Sequence, residues 1–588
     1  MFSLSSYFSV QYLVLLLPAT VGLYAVLPQK PRRVVLLLAS YLFFWAISGK
    51  LIAYLLFSTL SVHHIGLWLE GIQAERDRCL AAAPKEERKA VRGRFQRQLT
   101  GIVAFGVVLH LGLLLLVKYT PFFATNLNHL FQLLGLSLTV NIPSFAMPIG
   151  ISFYTLQAVS YCFDVYRGKI PADRNLFRLA LFMSFFPQIM EGPICRYGDT
   201  AHQLWAVPPI RWENFLFGVQ RILFGLMKKV VVADRLNLFI RQVFSGYAEY
   251  DGFVIAVAVV CYTIQLYMDF SGTMDLVMGS GQIFGVTLPE NFRRPFFSRN
   301  IAEFWRRWHV TLGTWFKDYV FYPVSMAKPM KKLTSWGRKR LGPHYGPLLA
   351  GSVALFCVWL GNGLWHGAGW HFIFFGMYHF FWILLENLTE PLTLRWAERF
   401  HVNRECLPYR GFQIARTAVL VCIGELFFRA DGLRAGLAMF QKMVTEFSLT
   451  TLRDGTIFSL GLDKKGLPGG VFDLGGGLCR GSPSGAGPPH PERTVSAECG
   501  GSVAGWLWAD PGHCGVWRIR HRLCAGGPHL CTIFKGGPSY GKKSKRVFGP
   551  GGVFLAGLLG ILVGLSALFV PRTTCRSSAW RRSPPTAS

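Results

Sequence analysis

Acidic residues are scarce in this chain: 31 Asp and Glu among 588 residues, against 61 Lys and Arg. Charged residues amount to 16%, where a soluble domain carries about 25%. The 13 cysteines include no C-x-x-C pair, and the seven within the first 465 residues are scattered singly, as packing residues are. There is no H-E-x-x-H and no phosphate-cradling P-loop, and the first 465 residues hold no G-x-S-x-G nucleophile elbow. These absences argue against a metal-ligand cluster, a nucleotide-driven pump, a serine hydrolase and a disulfide scaffold. Hydrophobic residues make up 51% of the chain and fall in long successive blocks between residue 8 and about residue 430. That pattern belongs to an all-α polytopic membrane protein.

A helical span needs roughly 20 apolar residues. The first block, Phe8 to Leu27, reads as a retained first helix, with no small-residue cleavage site behind it. Further blocks lie near 34–48, 51–69, 101–117, 145–163, 176–190, 214–233, 252–270, 271–287, 347–363, 367–386 and 411–429. About eleven spans are expected, with 176–190 and 271–287 short enough to be re-entrant. The 75–98 loop carries eight basic residues, and 293–340 carries twelve against Glu303 and Asp318. Both are expected at the cytoplasmic face of the cell membrane. Between Lys118 and Arg167 there is no Lys or Arg, so Pro121–Pro143 reads as an outer loop. The net charge of +30 flanks apolar spans and suits anionic headgroups rather than nucleic acid.

Beyond about Lys465 the composition changes. Residues 466–551 contain 21 glycines, and an apolar run follows at 553–570. Residues 1–465 read as the membrane domain. Residues 466–588 read as an atypical Gly/Pro/Arg/Cys-rich tail, disordered or translated out of frame, and no function is assigned to it.

Two polar clusters interrupt the apolar part. The first is Glu303-Phe-Trp-Arg-Arg-Trp-His309 with Thr314-Trp-Phe-Lys-Asp318-Tyr, which reads as an amphipathic helix in the membrane interface, with Glu303 pairing Arg307. The second is Gly361-Asn-Gly-Leu-Trp-His366-Gly-Ala-Gly-Trp370, a histidine flanked by four glycines. Glycine admits a close backbone or substrate, and an imidazole there is a candidate general base for a hydroxyl. The glycine-rich backbone of 361–369 and the Trp N–H groups are candidate oxyanion donors. The bland reading of a histidine in an apolar block is hydrogen-bonded packing, and it applies first to His63, His64, His110, His371 and His379. Asp164, Glu191 and Asp269 read as structural.

In this order the clusters resemble the membrane-bound O-acyltransferase family, in its bacterial polysaccharide branch of alginate O-acetylation and teichoic-acid D-alanylation. The likeness extends to Met147-Pro-Ile-Gly-Ile-Ser-Phe-Tyr154, Ser160-Tyr-Cys-Phe-Asp164-Val-Tyr-Arg167, Phe186-Pro-Gln-Ile-Met-Glu191-Gly-Pro193, Gln265-Leu-Tyr-Met-Asp269-Phe-Ser-Gly272 and Glu290-Asn-Phe-Arg-Arg-Pro295, over roughly residues 8–430. The resemblance implies a ring of tilted helices around a tunnel, with His366 as catalytic histidine and His309 as a second functional position, where other branches carry Asn. It also implies a cytoplasmic acyl thioester, acetyl-CoA or an acyl carrier, as co-substrate with no tightly bound cofactor. The acceptor would be an exported polysaccharide, reached directly or through an exported acyltransferase partner. D-alanyl transfer to teichoic acid and a transporter without covalent chemistry are the alternatives. Beyond residue 465, where the family continues with further apolar helix, this chain departs from the pattern.

Overall fold

The computed structural model describes residues 6–142, 145–455, 457 and 460. The tail beyond residue 465, with its apolar run, lies outside the described residues. The helices are α1 (Leu17–Val26), α2 (Gln29–Ser48), α3 (Ile52–Ala82), α4 (Arg88–Leu133), α5 (Ile151–Tyr166) and α6 (Leu176–Ser184). Next come α7 (Tyr197–Ala206), α8 (Trp212–Met227), α9 (Asp234–Ser245), α10 (Gly252–Ile283), α11 (Ile301–Arg307) and α12 (Val310–Phe316). The series closes with α13 (Tyr322–Ser325), α14 (Lys328–His366), α15 (Trp370–Arg399), α16 (Leu407–Arg429), α17 (Gly432–Thr445) and α18 (Thr450–Arg453). Among the described residues there is no strand, and the only β-bridge is Phe292 with Trp308.

Among the described residues, six helical stretches are long and apolar enough to cross a membrane: 29–82, 88–133, 252–283, 328–366, 370–399 and 407–429. The protein is therefore an all-α, multi-pass membrane protein. The first stretch is broken at Gly49, whose φ of +53° ends α2. The expected span count changes for physical reasons. The blocks 252–270 and 271–287 join in one helix, α10, since no Pro or charge run parts them. α5 and α6 have 16 and 9 residues, which at about 1.5 Å per residue do not cover a ~30 Å hydrocarbon core, whereas α8 runs on through a π-helical stretch, Lys228–Ala233, into α9. The basic 75–98 segment is mostly helix as well, because its Lys, Arg, Glu, Gln and Ala are good helix formers and carry α3 and α4 toward each other. α4 likewise runs on to Leu133, through the first part of the expected outer loop.

Close helix approach builds the wall that supports the site. α8 and α10 meet at Gly225 and Gly272, and a methyl on Gly272 would stand 2.8 Å from the Gly225 carbonyl oxygen. A second backbone meeting joins two of the family-like segments. Gly150 precedes α5 with φ +71°, and a Cβ there would collide with the carbonyl of Ile189. Only glycine lets the 147–154 segment lie against 186–193. Of the cysteines, Cys162, Cys195, Cys261 and Cys422 are buried, while Cys79 at the end of α3 is exposed.

The loop between α5 and α6 is tied by one buried carboxylate. Asp173 accepts from Arg178 Nε at 2.7 Å and Nη2 at 2.6 Å, from the Asn175 N–H at 2.8 Å, and from the Tyr197 hydroxyl. Burial alone would raise its pKa, but these donors together hold it below the ordinary carboxylate value. The stabilisation is thus present above the unfolded pKa of about 3.9 and is lost as pH falls through the folded value. Asp173→Asn is expected to cost about 2 kcal/mol, less than a fully buried pair because Arg178 is partly exposed. A thermal denaturation midpoint in detergent equal to wild type would show that other contacts hold the loop.

Candidate active site

The block that reads as one amphipathic helix is two helices with a turn between them. α11 ends at Arg307, and His309 takes a left-handed backbone, φ +48°, before α12 starts. An α-helix of L-residues does not continue through that conformation. Asn291 secures the turn: its carbonyl accepts the Val310 N–H, and its side-chain oxygen accepts the Thr311 N–H at 3.0 Å and hydroxyl at 2.7 Å. The turn lies against α14. Trp305 packs on Trp359, His309 on Trp365, and Phe316 beside Gly361, so the chain advances along α14 to His309 and then turns back. Glu303 and Arg307 pair at 2.5 Å, as their spacing predicts.

The glycine-rich cluster is the break between α14 and α15. α14 ends at His366, and Gly367 and Gly369 are extended. The His366 ring rests on Trp365, Phe428 and Phe375, with centroids 4.9, 5.1 and 6.0 Å away. Trp365 stands between the two histidines, 5.7 Å from the His309 ring. Distant in sequence, His309 and His366 line the same cavity of about 550 Å³. That volume is within the range of small-molecule sites.

His309 is 3% exposed, and neither of its ring nitrogens has a hydrogen-bond partner. Burial pushes its pKa down to about 3, with a smaller contribution from His366, so the ring is neutral near pH 7. A buried imidazole lining a cavity with both nitrogens unsatisfied is a group kept for a ligand or ordered water.

The rest of the wall combines aromatic and charged groups. Tyr7, Phe8, Phe153, Phe270 and Phe428 supply apolar surface. Lys118, Lys229, Glu191 and Asp269 supply charge. Lys229 bridges Asp269 at 3.1 Å and Asp234 at 2.9 Å, and Asp269 also accepts from Gln265 at 3.1 Å. Glu191 lines the same space. Burial, and then the Asp269 charge, raise its pKa against the pull of Lys229. Asp164 plays a different part, accepting the Tyr319 hydroxyl at 2.9 Å away from the cavity lining.

The indole donors considered for an oxyanion are already engaged. Trp365 Nε1 donates to the Ser152 carbonyl at 3.4 Å and Trp370 Nε1 to Asn126 Oδ1 at 2.8 Å. Sequence reasoning passed over Lys118 and Lys229 as site residues. For Lys118 the signal was present: it is a cation inside what proves to be continuous helix. No group of three or more His, Cys, Asp or Glu side chains among the described residues could hold a metal ion.

A family model described as MBOAT, membrane-bound O-acyltransferase family, matches residues 170–336. The chain is 33% identical over 462 residues to a probable alginate O-acetylase of Azotobacter vinelandii, covering 76% of this chain and 80% of that protein. It is 29% identical over 379 residues to a peptidoglycan O-acetyltransferase of Helicobacter pylori, covering 58% and 64%. It is 28% identical over 256 residues to a teichoic acid D-alanyltransferase of Bacillus subtilis, covering 43% and 61%.

Proposed function

We infer the reaction from this premise: the chain belongs to the membrane-bound O-acyltransferase family and is an acyltransferase. It moves an acyl group, acetyl in the first instance, from a cytoplasmic thioester to hydroxyls of an exported polysaccharide, either directly or by way of an exported partner protein. The membrane is the cytoplasmic membrane. The observation that carries this reading is the convergence of His309 and His366 on one cavity from separate segments of the chain. The alginate and peptidoglycan O-acetylating relatives support acetyl as the group and a polysaccharide as acceptor.

In the reaction, His366 takes the proton of the attacking hydroxyl as its oxygen bonds to the thioester carbonyl carbon. The carbon–sulfur bond then breaks, and the imidazolium returns the proton to the departing thiolate. His309, neutral and unpartnered, is free to hydrogen-bond the donor or the attacking oxygen. Tyr7, Phe8, Phe153, Phe270 and Phe428 give the donor apolar surface to rest on.

The test uses inside-out membrane vesicles from the host, supplied with acetyl-labelled acetyl-CoA. Label on extractable polysaccharide, absent with His366→Ala, supports acetyl transfer. Label delivered instead by a D-alanyl-charged carrier protein, with none from acetyl-CoA, redirects the reading to D-alanylation. Passage of intact donor across the membrane with no label on polymer overturns it in favour of transport.

A further inference from the structure

A lysine within an apolar helix requires partners, because an unsatisfied ammonium at membrane depth is expensive. Lys118 lies in the interior of α4, between buried Val117 and Tyr119. Its Nζ donates to the backbone carbonyl of Trp365 at 2.5 Å and to that of His366 at 3.3 Å. These carbonyls close the last turn of α14, where no intrahelical donor remains for them. The chain leaves the helix at once, since Gly367 is extended, and its own N–H turns back only to Gly363, at 3.4 Å. A helix end of this kind frays unless something outside the helix holds it. Here the final residue is His366, and Lys118 lines the same cavity.

We propose that Lys118 is a positioning residue for His366: its ammonium clamps the last two carbonyls of α14 and so holds the imidazole at the cavity wall. Trp365 is fixed from its other side by the indole bond to Ser152, so α4 and α5 grip the end of α14 between them. The assignment rests on the reading of His366 as the base.

Lys118→Met removes the donors and keeps an unbranched side chain. In the vesicle assay it is expected to lower kcat about 10²-fold, the cost of displacing a catalytic group by about 1 Å. KM for acetyl-CoA is expected to stay within about two-fold, because the Lys118 Nζ is engaged by the two carbonyls and not offered to the donor. Lys118→Arg offers several N–H donors to the two carbonyls and is expected to return kcat to within about five-fold of wild type. Wild-type kcat in Lys118→Met overturns the proposal, as does an equal loss in Lys118→Arg. If Lys118→Met fails to accumulate in the membrane, Lys118→Gln is read by the same criteria. Failure of both to accumulate makes Lys118 a folding residue and overturns the proposal as well. His366→Ala run in parallel separates the two claims. An active His366→Ala defeats the reading of the site, whereas a dead His366→Ala beside a fully active Lys118→Met defeats the clamp alone.

Discussion

Replacing His366 with alanine is expected to lower acyl transfer by about 10²- to 10⁴-fold, the contribution of one positioned proton acceptor. The expectation follows from what else faces the cavity. Asp269 is paired with Lys229, and His309 is only 3% exposed. Burial raises the Glu191 pKa above the ordinary carboxylate value, and the charges that act on it are Asp269 and Lys229 rather than the two histidines. His366 is partly exposed and gripped between aromatic rings, so its imidazole has one restricted direction in which to meet a substrate. His366→Gln sharpens the test. The amide retains a polar group of similar reach but does not accept a proton at neutral pH, so it is expected to be as impaired as alanine. Protein level in the membrane and donor binding should match wild type in both variants. A glutamine variant with wild-type turnover would mean that the residue positions substrate and that the proton leaves by another route.

At His309 the backbone and the side chain must be separated. His, Asn and Asp are the residues that tolerate the left-handed conformation found there, whereas alanine pays for it. His309→Ala is therefore expected to lose about 10²-fold in kcat/KM through the combined loss of the imidazole and of the turn. His309→Asn keeps the turn and one hydrogen-bonding head, and it is expected to fall between alanine and wild type. Burial holds the His309 pKa far below the ordinary histidine range, so the ring stays neutral between about pH 5 and 8. His309→Asn should accordingly leave the shape of the pH–activity profile unchanged over that interval. A changed shape would show that His309 titrates during turnover, and an alanine variant at the wild-type level would remove His309 from the site.

Much of the architecture was legible without coordinates because it depends on composition and spacing. A low charge density, apolar blocks of span length and basic flanks are enough to put a chain in a bilayer, whatever its tertiary contacts. The Glu303–Arg307 pair was legible for a similar reason, since a spacing of four brings side chains together on any helix. The two histidines were nameable because each sits in an unusual local setting, one among glycines and one among alternating charges and aromatics.

What stayed hidden depends on choices that local pattern does not encode. Nothing in the 252–287 run distinguishes two short spans from the one long helix α10 that it forms. Nothing in the 303–319 block announces that His309 would turn left-handed, because the Asn291 bonds that secure the turn come from outside the block. Lys118 looked like the flank of a span until α4 proved to run on to Leu133, which placed its ammonium inside the helix bundle. The sequence by itself determined a helical membrane acyltransferase and singled out His309 and His366 as its candidate imidazoles. Only the tertiary structure decided that those imidazoles share a cavity, with Lys118 holding the helix end beneath one of them. The reason is physical: hydropathy and helix periodicity act within a few residues, while a cavity is made by backbones that meet across the whole chain.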